Sequence, residues 1–324
     1  MSIWKRKPLA QLLVEAAESE KGLKRTLTAW SLIALGIGAI IGAGLFVRTA
    51  MAASQNAGPS VTIAFIVAAI GCALAGLCYA ELSSSIPISG SAYTYTYATM
   101  GEFMAWIIGW DLILEYAVGA ATVGIAWSEY LNNLLVNVLH ISPIPYSLSH
   151  SPFQSNLETG ETGIINLPAL FIVGIISLLL IKGIQESAFV NGIIVVLKVF
   201  IVVLIIVIGW NFVNPANHTP YIPPSSIFTD EHGINHNFGG FWGIIGAAGT
   251  VFFAFIGFDA VSTAAQETKN PKRNMPIGIL GSLAICTILY ILFAHVLTGV
   301  ATVEDFRTGG KEASVAFAIN KYMI

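Results

Sequence analysis

Seven runs of apolar residues, each close to the length that crosses a bilayer, dominate this sequence: 29–51, 60–82, 103–127, 167–183, 190–212, 241–265 and 277–300. A bilayer core is spanned by about 20 apolar residues of α-helix. Backbone in hydrocarbon must satisfy its own hydrogen bonds, so helices are the structure such runs can form. The alternating pattern of membrane barrel strands is absent from them. An all-α polytopic membrane protein is therefore expected, with the lipid bilayer as its first partner. Composition agrees: of 324 residues, 55% are hydrophobic and 10% charged, against roughly 25% charged in soluble domains. No basic patch of the kind nucleic acid needs is present.

Lysine and arginine orient the spans. Lys5, Arg6, Lys7, Lys21, Lys24 and Arg25 crowd the first 28 residues, and Lys182, Lys269, Lys272 and Arg273 fall on the same side. The loops 128–166 and 213–240 contain neither residue type and fall on the other. A cytoplasmic N-terminus in a plasma-membrane protein is the expectation, which argues against a seven-helix receptor; the inner loop 83–102 adds no basic residue. The first apolar run is longer than a cleavable signal core. Leu9, Leu12, Leu13 and Ala16 at helical spacing suit a short helix lying on the bilayer or on the protein. Cys72, Cys78 and Cys286 lie inside apolar runs and read as small buried hydrophobes. His232 and His236, four apart in a Gly/Asn-rich loop, read as solvated, so no metal or cofactor is expected.

Two spans carry residues that weaken a helix. Gly36, Gly38, Gly42 and Gly44 place four glycines in nine residues of the first, each costing about 1 kcal/mol relative to alanine in a helix interior. Either the helix breaks there, freeing N–H groups for an anionic substrate group, or Gly38 and Gly42 let helices pack closely. The sixth span reads Phe252-Phe253-Ala254-Phe255-Ile256-Gly257-Phe258-Asp259-Ala260, with Gly257 and Asp259 near its middle. Paired interruptions five helices apart are what an inverted five-helix repeat requires, and they favour the broken helix.

Charges inside spans are functional candidates. Lys198 lies well inside the fifth span. Desolvation lowers a lysine pKa, so Lys198 is a candidate for proton coupling; the alternative is a fixed ammonium held by carbonyls of the broken first helix. Glu115, one turn after Asp111 in the third span, is a candidate for pocket or gating, or only for bonding neighbouring helices. Asp259 reads as a local cap for the freed backbone of the sixth span. No nucleophile stands beside a base, so no enzyme chemistry is indicated.

The glycine run of the first span, the inner loop Pro87-Ile88-Ser89-Gly90-Ser91-Ala92-Tyr93-Thr94-Tyr95, the Phe255-Ile256-Gly257-Phe258-Asp259 stretch and Asn270-Pro271-Lys272-Arg273-Asn274-Met275-Pro276 together resemble one family. It is the amino acid–polyamine–organocation superfamily, in particular the bacterial members of its cationic amino acid transporter branch. The resemblance covers essentially the whole chain. It implies a fold similar to that of the leucine transporter, with two inverted five-helix repeats and two further helices. The substrate carboxylate would meet backbone amides at Gly42, Ala43 and Gly44. Carbonyls at Ile40, Ile41, Phe252 and Phe255 would receive its ammonium, with Ala254 and Gly257 in the same unwound stretch. Lys198 matches the lysine that stands in place of a sodium ion in proton-coupled relatives. Aromatic residues of the sixth span would form an outer gate and pocket wall.

In that frame residues 1–28 are a cytoplasmic segment and 29–212 the first repeat. An extracellular loop follows over 213–240, then the first two helices of the second repeat over 241–300, then a truncated outer loop over 301–324. With five helices of such a fold missing, the chain is expected to be a fragment. The expected function is uptake of an L-amino acid, small and neutral or else cationic, driven by protons. Uncoupled exchange, or amino-acid sensing and partner binding without transport, are the alternatives, and oligomeric state is not readable.

Overall fold

The computed structural model describes residues 6–8, 11, 14, 25–42, 44–156, 159–181, 188–230, 233–308 and 314–323. The expected N-terminal helix, Lys182 and His232 lie outside these residues.

Helix α1 (Ala29–Ile40) starts at Thr28, whose side chain accepts from the Ser31 N–H. A second helical stretch begins at Gly44 and runs to Ser85, turning at Gly58, where φ is +57°. Within it lie α2 (Thr49–Ala52), between wider π-helical turns at Gly44–Arg48 and Ala53–Ala57, and α3 (Val61–Ser85). Next come α4 (Ser91–Thr99), α5 (Glu102–Asn133), α6 (Tyr146–Ser149), α7 (Leu167–Ile181) and α8 (Ala188–Gly209). A two-stranded antiparallel hairpin, β1 (Ser226–Thr229) and β2 (Asn235–Phe238), interrupts the helices, with Ser226 opposite Phe238. After it follow α9 (Gly240–Phe252), a 3-10 stretch Asp259–Glu267, α10 (Pro271–Val300), α11 (Val303–Thr308) and α12 (Ser314–Tyr322). Among the described residues, each of the seven expected apolar runs is mostly helical, the first and sixth with interruptions. α10 starts six residues before its apolar run because Pro271, at the first helical position, lacks only an N–H that would have no partner there.

The centre is α10, packed along α3 and α1, with α9 against α3 and α8 against α1. Helices in lipid gain little from burying apolar surface, so close approach of small residues matters. A Cβ on Gly36 would lie 2.6 Å from Ser282 Cβ, and one on Gly278 2.5 Å from Leu32 Cβ. The close α1–α10 contact is thus made at Gly36; a Cβ on Gly42 would meet nothing within 4 Å. Phe65, Phe255, Tyr290 and Phe293 fill the core and are fully buried. α5 by contrast presents Ile113, Leu114 and Val118 to its surroundings. Cys72 and Cys286 are buried as expected; Cys78 faces outward.

Candidate functional site

The glycine run ends α1 where the sequence weakens it. Ile41 is already extended (φ −72°, ψ 105°), its N–H bonding back to Ile37 O at 2.9 Å. Helix resumes at Gly44, with Leu45 N–H reaching Gly42 O at 3.2 Å. The second interruption follows α9: a 3-10 turn over Phe253–Phe255, an extended Ile256, and Gly257 at φ +109°, before the 3-10 stretch Asp259–Glu267.

The two interruptions touch. A Cβ on Gly44 would sit 2.6 Å from Ala254 Cα, and one on Gly257 2.8 Å from Ala39 O. Gly257 is thus required twice, by a positive φ and by the α1 backbone against it. Tyr290 of α10, fully buried, bridges the same two places: its hydroxyl lies 2.9 Å from both Ile40 O and Ala254 O. A phenol has one proton to donate, so the two carbonyls share it.

Lys198 of α8 reaches the end of α1 from the other side. Its Nζ donates to Gly38 O at 2.9 Å and Ile41 O at 3.1 Å. A carbonyl pair with no helical partner and an ammonium out of water satisfy each other. The carbonyls of Ile40 and Ile41, expected to be open to a substrate ammonium, therefore already accept from Tyr290 and Lys198.

Beside the breaks lies a cavity of about 720 Å³, lined by Ala39, Ile40, Gly42, Gly44, Gly257 and Ala260 from the interrupted spans and by Asp111, Leu114, Glu115 and Val118 from α5. Of the expected site residues, Ile40, Gly42, Gly44, Gly257 and Glu115 line it. Ile41, Ala254, Phe255 and Asp259 are buried around it, Phe252 is half exposed, and Ala43 lies outside the described residues. Of the sixth-span aromatic residues named for the site, Phe253 lines the cavity, beside Tyr116 of α5, while the ring of Phe255 packs on Tyr290 at 5.2 Å and Phe65 at 6.2 Å. A 3-10 turn advances a third of a revolution per residue, so neighbours two apart face different ways. Asp259, the first residue of the 3-10 stretch Asp259–Glu267, keeps its carboxylate near the N–H groups of Gly257, Asp259 and Ala260 and the Tyr116 hydroxyl, while its Oδ2 has no hydrogen-bond partner.

Arg48 also lines the cavity and was missed. It lies within the first apolar run, so the reasoning that selected Lys198 selects it too. Tyr290 had no comparable signal. Of the two loop histidines only His236 is among the described residues, and it bonds Asp230 at 3.0 Å.

Two interrupted helices meeting at a cavity, in a bundle of apolar helices, define the class: a polytopic α-helical membrane permease. A sequence model of the amino acid permease family matches residues 27–320, and the chain belongs to that family. It is 47% identical over 302 residues to the branched-chain amino acid permease BcaP of Bacillus subtilis (strain 168), covering 93% of this chain and 60% of that protein. It is 43% identical over 319 residues to the methylthioribose transporter of the same organism, covering 98% and 63%. To the chloroplastic cationic amino acid transporter 9 of Arabidopsis thaliana it is 38% identical over 294 residues, covering 90% and 48%. The chain thus spans less than two thirds of the length of these relatives. The family is one of permeases, not enzymes.

Proposed function

We propose that this chain forms the substrate-binding part of a secondary transporter that carries a neutral L-amino acid across the plasma membrane together with protons. The observation that carries the reading is Lys198, whose ammonium holds Gly38 O and Ile41 O where α1 stops beside the cavity. An amino acid offers a carboxylate and an ammonium. Amides freed at Gly42, Ala43 and Gly44 suit the first. Carbonyls at Ile40, Ile41, Phe252 and Phe255 suit the second, since a carbonyl that accepts one hydrogen bond retains a second lone pair. Loss of the Lys198 proton removes a charge-assisted tie between α8 and α1, which links proton release to movement of the first span. A positive charge at this place disfavours a sodium ion. In this reading residues 29–212 are one repeat, 241–300 open the second, and the N-terminus is cytoplasmic.

Leu114, Val118, Val123, Phe253 and Ile256 along the cavity favour an uncharged, apolar substrate side chain. Glu115 and Asp111 make a cationic one the competitor to test. The test is uptake into proteoliposomes under an imposed pH gradient, with alanine, leucine, lysine and methylthioribose in parallel. Accumulation of the neutral amino acids, abolished by a protonophore and by Lys198→Ala, is expected. Full gradient-driven uptake by Lys198→Ala would sink the coupling; uptake of lysine or methylthioribose alone would overturn the substrate class.

A further inference from the structure

The hairpin, α11 and the turn Ala53–Ala57 are far apart in sequence, yet one side chain touches all three. The Arg307 guanidinium on α11 lies 4.1 Å from the ring centroid of Phe228 and 4.6 Å from that of Phe238. Phe228 pairs with His236 across the hairpin, so Phe238, two residues on, shares its face as a diagonal neighbour. The Nε of Arg307 donates to Ser54 O at 3.0 Å, and Nη1 meets Glu304 of its own helix at 3.6 Å. A planar guanidinium can lie over rings and still donate from its edge, which an ammonium does less well. The hairpin is fastened to the same turn separately: Gly239 N–H donates to Asn56 O at 2.7 Å and Asn56 Nδ2 to Asn237 O at 3.4 Å. α11 is anchored in turn through Asp305, which accepts from Thr302, Lys321 and Tyr322.

Ser54 belongs to the helical stretch whose first turn, Gly44–Arg48, supplies Gly44 and Arg48 to the cavity. Ser54 stands six positions after Arg48, about 9 Å along the helix at the helical rise. We propose that Arg307 is a positioning residue that fastens the hairpin, α11 and the turn 53–57 into one moving cover, whose displacement reaches the cavity through the Gly44–Arg48 turn. The inference rests on reading that cavity as the substrate site.

Hydrogen exchange of the full chain in lipid nanodiscs tests it without any substrate, so failure of the transport reading and failure of the cover give separate results. Arg307→Ala should speed exchange by about tenfold, the scale expected for losing two cation–π contacts and a hydrogen bond. The change should appear together in the hairpin, at 53–57 and at 44–48, with α3 and α10 unchanged. The Phe228→Leu/Phe238→Leu pair keeps the donor to Ser54 and should give the same pattern, which covers the case that Arg307→Ala does not fold. Arg307→Lys should recover only part of the protection. A change confined to 303–308, one spread evenly over every helix, or one that leaves 44–48 untouched would overturn the proposal.

Discussion

The hydroxyl of Tyr290 lies 2.9 Å from the carbonyl of Ile40, and the same oxygen lies 2.9 Å from Ala254 O. One phenol on the central helix thus spans both interrupted segments. It sits on the opposite account from Lys198: the lysine ties the end of α1 to α8, while the tyrosine ties it to the sixth span through α10. Tyr290 is therefore placed to register the two interruptions against each other.

Tyr290→Phe keeps the ring contacts with Phe65 and Phe255 but removes the donor from two buried carbonyls. Leaving a buried acceptor unsatisfied costs about 1–3 kcal/mol. The expected outcome is a lower unfolding midpoint in detergent, with Tyr290→Leu lower still because it also loses the aromatic edge contacts. Equal stability of Tyr290→Phe and the parent chain would show that the hydroxyl carries no weight.

Two glycines of the site should respond in opposite ways to the same methyl group. Gly257→Ala must place a side chain at φ +109° and within 2.8 Å of Ala39 O. Strain of that kind costs about 1–3 kcal/mol before any clash is added. Gly42→Ala puts its methyl into open space at the cavity. Thermal unfolding should therefore separate a destabilised Gly257→Ala from a near-neutral Gly42→Ala, while substrate binding should suffer in both.

The Asp305 clamp should hold through mild acid. Burial pushes the Asp305 carboxyl up, but hydrogen bonds from Lys321, Tyr322 and Thr302 outweigh it and hold the group well below the usual carboxylate range. A depressed folded pKa gives stability that is fully present above the unfolded value, about 3.9, and is lost as pH falls from there through the folded value. The midpoint difference between the parent chain and Asp305→Asn should stay constant from about pH 5 to 8 and shrink only below about pH 4.

His218 should respond at a different pH. Burial, and His295 with its ring centroid 4.5 Å away, lower the His218 pKa. The neutral imidazole is the form that fits the fold. Stability from this fit is whole above about pH 6.5 and declines as pH falls through that value towards the folded one. His218→Gln should flatten the decline, as read from exchange of amides 213–221 corrected for intrinsic rate; an unchanged pH slope would exclude the pair as its source.

What could be read before the structure was what depends on local chemistry. Glycines at 36–44 and at 257 weaken a helix whatever surrounds it, so both interruptions were legible. Lys198 in an apolar run was legible because its transfer energy is a property of the residue. Arg48 in the first apolar run carries the same signal. Tyr290 could not be found this way: a tyrosine in an apolar run looks like a packing aromatic until folding brings two distant carbonyls to its hydroxyl. The hairpin was hidden for another reason, its strands being four residues each, too short for alternation to stand out in a polar loop. Which sixth-span aromatic faces the cavity depended on the local 3-10 winding, and composition does not encode that.

The lysine contact also bears on how the protein is made. Lys198 follows its acceptors Gly38 and Ile41 by 160 and 157 residues, and Tyr290 follows Ile40 by 250. At about 5–20 residues per second, the ribosome delivers the tyrosine roughly 12–50 s after the first span. Until Lys198 and then Tyr290 are synthesised, the end of α1 lacks partners that satisfy it in the finished fold. The nascent first span must stay helical through its glycines, or wait beside water or the insertion machinery. Its final broken shape is therefore a late event in biogenesis, set by helices that have yet to be synthesised when it enters the membrane.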